Sequence, residues 1–272
     1  MLFSVITAIS CIVTVLLYIV GLDHSLAMAL LTFILGFVIL LLCWALPCVI
    51  YALFVDLDKP CKKNSRFFRF YANCIVTSIR QIFRIKVNVS GMEQLPREKF
   101  LLVGNHRSPM DPILEMGIFR DSHIGFVAKQ ELFKIPVVRK IMHKCFCLSL
   151  DRSDPRDGIK AITQAAKIIQ RGSASIGIYP EGTCNKKEEL LPFKAGAFKI
   201  AQKAACPIVV VVIRGSEKAV KQMLFKRTKV SVDVIGVISA DEVAKSKTTQ
   251  KLSDHVRQMM EGALAEKRKE TI

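Results

Sequence analysis

The stretch FLLVGNHRSPMDPILEMGIF, Phe100 to Phe119, begins with strand-forming residues, passes through a polar turn containing Pro109, and ends in an apolar run that starts at Pro112. FLLVG reads as a strand and PILEMGIF as a helix, so NHRSPMD is the strand-to-helix turn between them. His106 and Asp111 stand five positions apart in that turn. On a regular helix this separation rotates two side chains by ~500°, so they point in different directions. Asp111 precedes Pro112, which disfavours helical dihedrals at Asp111, so the backbone can bend there and return the carboxylate to the imidazole. Such a pair forms a general base: the carboxylate fixes one tautomer and stabilises the imidazolium, while the other ring nitrogen takes a proton from an attacking hydroxyl. The plainer alternative makes Asp111 a helix N-cap and His106 a hydrogen-bonded turn residue.

Outward from this unit, the chain from Ile85 alternates strand and helix patterns, which predicts an α/β domain. Strands are expected near Lys86 to Val89, Phe100 to Val103, Ile124 to Ala128, Phe146 to Leu150, Ser175 to Tyr179, Ile208 to Ile213 and Val230 to Val237. Pro155 to Arg171 is expected to be a helix, with Asp154 as its cap, Pro155 in the first turn and Gly172 as its stop. Gln250 to Lys269 places Leu252, Val256, Met259 and Ala263 on one face of a closing helix. A second polar turn follows a strand in SIGIYPEGTCNKKEELLPFKAGAF, Ser175 to Phe198. Open α/β sheets bind ligands outside the carboxyl ends of their strands, so the two turns are expected on one rim, converging on one substrate.

The N-terminal part has a different character. Leu2 to Val20 and Leu26 to Val55 contain no charged residue. As helices they measure about 29 Å and about 45 Å, each long enough to cross a bilayer. Only Gly21 to Ser25 separates them, which predicts a helical hairpin, with Pro47 expected to kink or end the second arm. Ala27-Met28-Ala29 resembles a signal cleavage site, but no basic residue precedes the first apolar run and a second run follows it. Hydropathy does not distinguish two full spans from a hairpin that dips into one leaflet. Lys59, Lys62, Lys63, Arg66 and Arg69 follow the second arm and the short loop has no basic residue, so the remainder is expected on the cytoplasmic face of the cell membrane.

The formal charge is +17, from 40 Lys and Arg against 23 Asp and Glu. Basic residues cluster directly after the apolar arms, a placement that predicts contact with anionic membrane lipids and argues against a nucleic-acid partner. Arg69, Asn73, Thr77, Arg80 and Arg84 share one stripe of a helix, opposite Phe and Ile residues, as in a helix lying in a membrane interface or one covering a core. The expected division is 1–58 as membrane-anchoring hairpin, 59–85 as basic amphipathic interfacial segment and 86–272 as the catalytic domain. Nine scattered cysteines lack a C-x-x-C pair and fit a reducing compartment, with neither disulfides nor a metal indicated. Cys145 and Cys147 are expected to face opposite sides of a strand as core filler.

NHRSPMD matches the N-H-x-x-x-x-D motif of the glycerolipid acyltransferases, and CFCLSLDR, YPEGT, LPFKAGAF and CPIVVVVI resemble that family's later blocks in order and spacing. The resemblance covers roughly Val87 to Gly236. Together with the two apolar arms, the expected fold is an N-terminal membrane helical hairpin followed by a mixed-sheet α/β acyltransferase domain. The resemblance implies transfer of an acyl group from acyl-CoA or acyl carrier protein to lysophosphatidate or a related lysolipid, with no cofactor, metal or covalent acyl-enzyme. By position it makes His106 the base and Asp111 its orienter, with Asn105 positioning the turn. Glu181, Gly182 and Thr183 fall at the acceptor and thioester, and Lys129 and Arg152 match basic positions that the family uses near the acceptor or its phosphate, while Lys194, in LPFKAGAF, is a further substrate-binding candidate whose plainer alternative is a loop feature. The sequence departs from the family at Cys184, where arginine is common after Glu-Gly-Thr. A thiol cannot make arginine's bidentate phosphate contact. Cys184 as a nucleophile lacks a second histidine nearby in sequence to activate it.

Overall fold

The structure is a computed structural model that describes residues 2–20, 25–57, 59, 61, 64–151, 154–187, 189–222 and 226–269. Three helices, α1 (Leu2–Ile19), α2 (Leu26–Leu53) and α3 (Arg66–Ile82), precede a seven-stranded sheet. Its strands are β1 (Ile85–Ser90), β2 (Leu101–Gly104), β3 (Gly125–Lys129), β4 (Leu148–Leu150), β5 (Ile176–Ile178), β6 (Ile208–Arg214) and β7 (Thr228–Ile238). The remaining helices are α4 (Asp111–Ile118), α5 (Pro136–Lys144), α6 (Pro155–Gln170), α7 (Lys199–Ala204), α8 (Ala219–Gln222), α9 (Ala240–Lys245) and α10 (Thr249–Lys269).

All the strands expected from the alternating pattern form, in the spatial order β1-β7-β6-β2-β5-β3-β4. The sheet is mixed: β6 and β7 pair antiparallel, while β1 with β7 and every pair from β6 to β4 run parallel. Side chains alternate across the sheet, so Leu101, Val103, Ile208, Val210 and Val212 join one core with α6, α7 and α10. Phe100, Leu102, Val209, Val211 and Ile213 join a second core with α4 on the opposite face. Burial on both faces explains the unbroken apolar run IVVVVI in β6. The parallel strands β2, β5 and β3 therefore end together, at Gly104, Ile178 and Lys129, on one rim.

α6 follows its expected signals: the Asp154 side chain accepts from the Arg156 N–H, and Gly172 closes the helix at φ +65°. The short helices α5, α7, α8 and α9 had no comparably clear signal, since pieces of nine residues or fewer show little of a helical period.

The N-terminal helices pack together. Leu26–Leu53 is the one helix among the described residues long and apolar enough to cross a membrane, and it continues through Pro47 instead of ending there. The connecting residues 21–24 lie outside the described residues. The expected polar stripe on α3 needs correcting. Arg69 is buried, donating from its guanidinium to the carbonyls of Ile124 (2.7 Å) and Cys145 (3.1 Å) and from Nε to Asn64 (3.0 Å). Arg84 lies beyond the helix in a left-handed conformation, φ +50°. Buried Phe68, Tyr71 and Ala72 share a cluster with Cys48, Ala52 and Val55 of the α2 end, so α3 covers a core. Cys145 and Cys147 are core filler, but they enter this same cluster instead of facing opposite ways, because Phe146 takes φ +62° and the strand begins only at Leu148.

Candidate active site

His106 and Asp111 meet as the spacing requires. His106 Nδ1 lies 3.1 Å from Asp111 Oδ2, and the same oxygen accepts the backbone N–H groups of Arg107 (2.6 Å) and Ser108 (2.7 Å). The bend is placed differently from expectation. Asp111 already belongs to the first turn of α4 and Met110 is the N-cap, so the chain reverses over residues 107–110, and the N-cap alternative for Asp111 does not hold. Asp111 is fully buried, whereas His106 keeps 12% of its side-chain surface open. Asn105 fixes the turn to the sheet, donating to the Ile213 carbonyl (3.0 Å) and accepting the Ile213 N–H (2.8 Å).

The turn after β5 approaches the same histidine. Glu181 is 5% exposed. Its carboxylate accepts the His106 N–H (3.0 Å), the Leu191 N–H (3.0 Å) and the Asn185 amide (3.2 Å). These three donors hold the carboxylate inside, where it ties the two turns together. Asn185, absent from the sequence reading, adds a bond from its N–H to the His106 carbonyl (2.6 Å). Gly182 turns with φ +72°, a conformation glycine adopts without a Cβ penalty. Thr183 is exposed beside it. Cys184 Sγ lies 3.0 Å from His106 Nε2, so the histidine that sequence distance kept from Cys184 is His106 itself.

Behind the imidazole stands a layer that the sequence did not announce. The Tyr179 ring stacks on His106 with centroids 4.2 Å apart and planes 7° apart. Its hydroxyl donates to Glu115 Oε2 at 2.7 Å. Burial pushes the Glu115 carboxyl up to about 8, with the nearby Asp111 charge raising it further and the Tyr179 hydrogen bond opposing. Burial and the Glu115 charge likewise push the Tyr179 phenol well above its ordinary value. Gly104 makes room for this pair: a Cβ there would stand 3.3 Å from Glu115 Oε1 and 3.5 Å from the Tyr179 ring. The available signal was a lone glutamate in an apolar helix four residues after Asp111, on the same face.

The basic candidates separate. Lys194 folds over the second turn, where a Cβ on Gly182 would lie 3.1 Å from its Nζ. Lys129 ends β3 on the same rim but is exposed and paired with Glu131 at 2.8 Å. Two strand spacings separate it from β2, about 10 Å. Arg152 lies outside the described residues. Beneath Tyr179 and Gly182 an apolar cavity of about 200 Å³ opens among Val127, Leu150, Ile162, Ile178 and Ile200. No group of His, Cys, Asp and Glu side chains placed to hold a metal ion occurs among the described residues.

Comparison with known proteins shows what this chain is similar to. The family model described as Acyltransferase matches residues 86–214, which contain both turns. A 1-acyl-sn-glycerol-3-phosphate acyltransferase of Saccharomyces cerevisiae is 29% identical over 199 residues, covering 72% of this chain and 65% of the relative. A probable enzyme of the same name from Mycoplasma pneumoniae is 33% identical over 155 residues, covering 56% of this chain and 57% of the relative. The chain thus spans just under two thirds of the yeast protein's length. The crystal structure of the 1-acyl-sn-glycerophosphate acyltransferase PlsC from Thermotoga maritima shares the fold, with TM-score 0.59 at 19% identity over 98% of both chains. Over residues 86–214, just under half of its length, this chain is similar to the acyltransferase family.

Proposed function

We propose that this protein transfers a fatty acyl group from an acyl thioester, acyl-CoA or acyl carrier protein, to the 2-hydroxyl of lysophosphatidate, forming phosphatidate at a membrane. The observation that carries the reading is the orientation of His106. Its Nδ1 is held on buried Asp111, which leaves Nε2, 3.0 Å from Cys184 Sγ, as the base for an attacking hydroxyl. The apolar cavity bordered by Tyr179 and Gly182 offers room for part of an acyl chain. Lys194 supplies a cation for an acidic acceptor. The exposed apolar side chains of α1 and α2, among them Ile19, Leu42 and Leu53, support insertion in lipid. In this reading the basic excess meets anionic membrane lipids, no nucleic acid is bound, and the domain lies on the cytoplasmic face of the cell membrane.

A related lysolipid acceptor, such as a lyso-aminolipid, is the second reading. It is favoured by Cys184, which occupies the usual arginine position and faces the histidine. One assay separates the readings: full-length protein in detergent micelles receives a radiolabelled palmitoyl thioester with lysophosphatidate, a lyso-aminolipid or no lipid. Labelled phosphatidate supports the proposal, transfer confined to the aminolipid moves it to the second reading, and free fatty acid alone marks a thioesterase. His106→Ala is expected to lower kcat by at least ~10²-fold with little change in acceptor KM. A folded His106→Ala protein with near wild-type turnover refutes the chemistry.

A further inference from the structure

The corner where α1, the end of α3 and the starts of β1 and β7 meet holds an open groove of about 1150 Å³. Arg80, Arg84, Lys86 and Arg227 line it together with Ser4 and Thr77, and no acidic side chain does. The sequence from Arg66 to Ser90 and from Lys218 to Val232 contains no Asp or Glu. None of the four cations is ion-paired among the described residues. Like charges gathered without a counter-ion repel one another, so the groove is complementary to an anion. Three of the four carry guanidinium forks, which match the oxygens of a phosphate in pairs. β7 pairs antiparallel with β6 and parallel with β1, so β1 and β7 begin on the rim at which β2 ends. Three strand spacings, about 15 Å, separate β1 from β2, which sets a group held in the groove apart from His106. From Ser4 and Ala8 at the groove wall, α1 continues with Val5, Ile9 and Ile12 exposed, and Ile82 is exposed at the end of α3. An anion in the groove thus has apolar surface beside it of the kind that acyl chains cover.

We propose that this groove binds the phosphate headgroup of one anionic glycerophospholipid, with the acyl chains lying along α1, at a site separate from that of the acceptor lysolipid. The attraction of a basic protein to an acidic membrane is diffuse and has no fixed stoichiometry, whereas a built groove saturates at one lipid per chain. A free phosphate would satisfy the cations but leave the exposed face of α1 bare, and this favours the lipid. The groove joins the first apolar helix to the sheet whose rim carries His106, so an occupied groove fixes how that rim meets the bilayer. The site does not depend on which lysolipid is the acceptor. Its test reads binding, so its failure leaves the acyl-transfer reading standing.

Full-length protein in neutral dodecyl maltoside micelles with phosphatidylcholine is titrated with radiolabelled phosphatidylglycerol, and the lipid that stays with the protein is counted. Saturation at one phosphatidylglycerol per chain is expected. The double variant Arg84→Gln with Arg227→Gln should weaken binding by at least ~10-fold at unchanged Tm, and Arg84→Lys with Arg227→Lys, which keeps the charge without the forks, should fall between it and wild type. Lys203→Gln with Lys251→Gln removes the same charge from exposed positions on α7 and α10 and should change binding by less than about twofold. In unmodified protein, phosphatidylglycerol with a photoreactive group near its headgroup should label peptides within residues 2–9 or 77–87. Retention that never saturates, or that falls equally in the Arg84/Arg227 and Lys203/Lys251 variants, identifies diffuse attraction and overturns the site. Full displacement by millimolar inorganic phosphate or glycerol 3-phosphate makes it a soluble-phosphate site and overturns the lipid. Labelling confined to the two turns around His106 places the lipid in the acceptor site and overturns the proposal as well.

Discussion

The turn after β2 carries the imidazole and the turn after β5 reaches it, with different tasks. Over residues 105–111 the chain presents its own chemistry, since the histidine, the carboxylate that orients it and the backbone N–H groups that hold that carboxylate all come from one short segment. Over residues 181–191 the acidic side chain turns inward, and Glu181 secures the neighbouring turn through the His106 N–H. A short loop has few internal contacts with which to hold a ring nitrogen in place. Catalytic geometry tolerates errors well below 1 Å, so the second turn supplies the missing restraints.

This division breaks most visibly at Glu181. Glu181→Ala leaves the His106 N–H, the Leu191 N–H and the Asn185 amide without their acceptor. At ~1 to 3 kcal/mol for each unsatisfied buried donor, a loss of several kcal/mol in stability is expected, together with a ~10²-fold fall in kcat as the imidazole shifts. Thermal unfolding in micelles and steady-state kinetics measure both. A variant with unchanged Tm and only a raised acceptor KM would return Glu181 to the role of substrate ligand.

The same contrast explains what could be read in the sequence. The strands were legible because apolar runs such as IVVVVI and FLLVG are bounded by turn residues, and the His106–Asp111 pair was legible because both partners lie in one turn. The inward role of Glu181 was hidden: its partners lie 75 residues upstream and 10 residues downstream, and a carboxylate beside a glycine looks the same in a chain whether it faces substrate or backbone. The Cys184–His106 contact spans 78 positions and was hidden for the same reason. Arg69 misled because helical spacing places a charge on a stripe but says nothing about carbonyls waiting on another element.

The rim also distinguishes its lysines. Lys194 lies over the Gly182 turn, whereas Lys129 is engaged by Glu131 at the end of β3. Lys194→Met should raise the KM for lysophosphatidate by roughly 10-fold, the scale of losing a charge-assisted contact of ~1.5 to 3 kcal/mol. Lys129→Met should raise it by less than about threefold, since an exposed ion pair contributes little. A reversed ranking would move the acceptor's acidic group toward β3 and away from the β5 turn.

The effect on turnover is expected to be smallest at Glu115, which belongs to the layer behind the first turn and acts on stability. Its carboxyl is pushed up to about 8 by burial, from an ordinary 4.5. The folded protein therefore keeps the Glu115 proton across a range in which the unfolded chain has released it. With the folded value above the unfolded one, the stabilisation from this group is complete below about pH 4.5, declines as pH rises, and is gone above about pH 8. Glu115→Gln keeps the shape and an acceptor for the Tyr179 hydroxyl, and it stays neutral throughout. Wild type and variant should therefore have similar unfolding temperatures near pH 5, and the variant should become progressively the more stable by pH 8, by up to a few kcal/mol. Because both proteins share every other titrating group, the difference between them isolates this proton. A difference that stays flat from pH 5 to pH 8 would mean that Glu115 is ionised in the folded protein and that Asp111 has a second negative charge behind it.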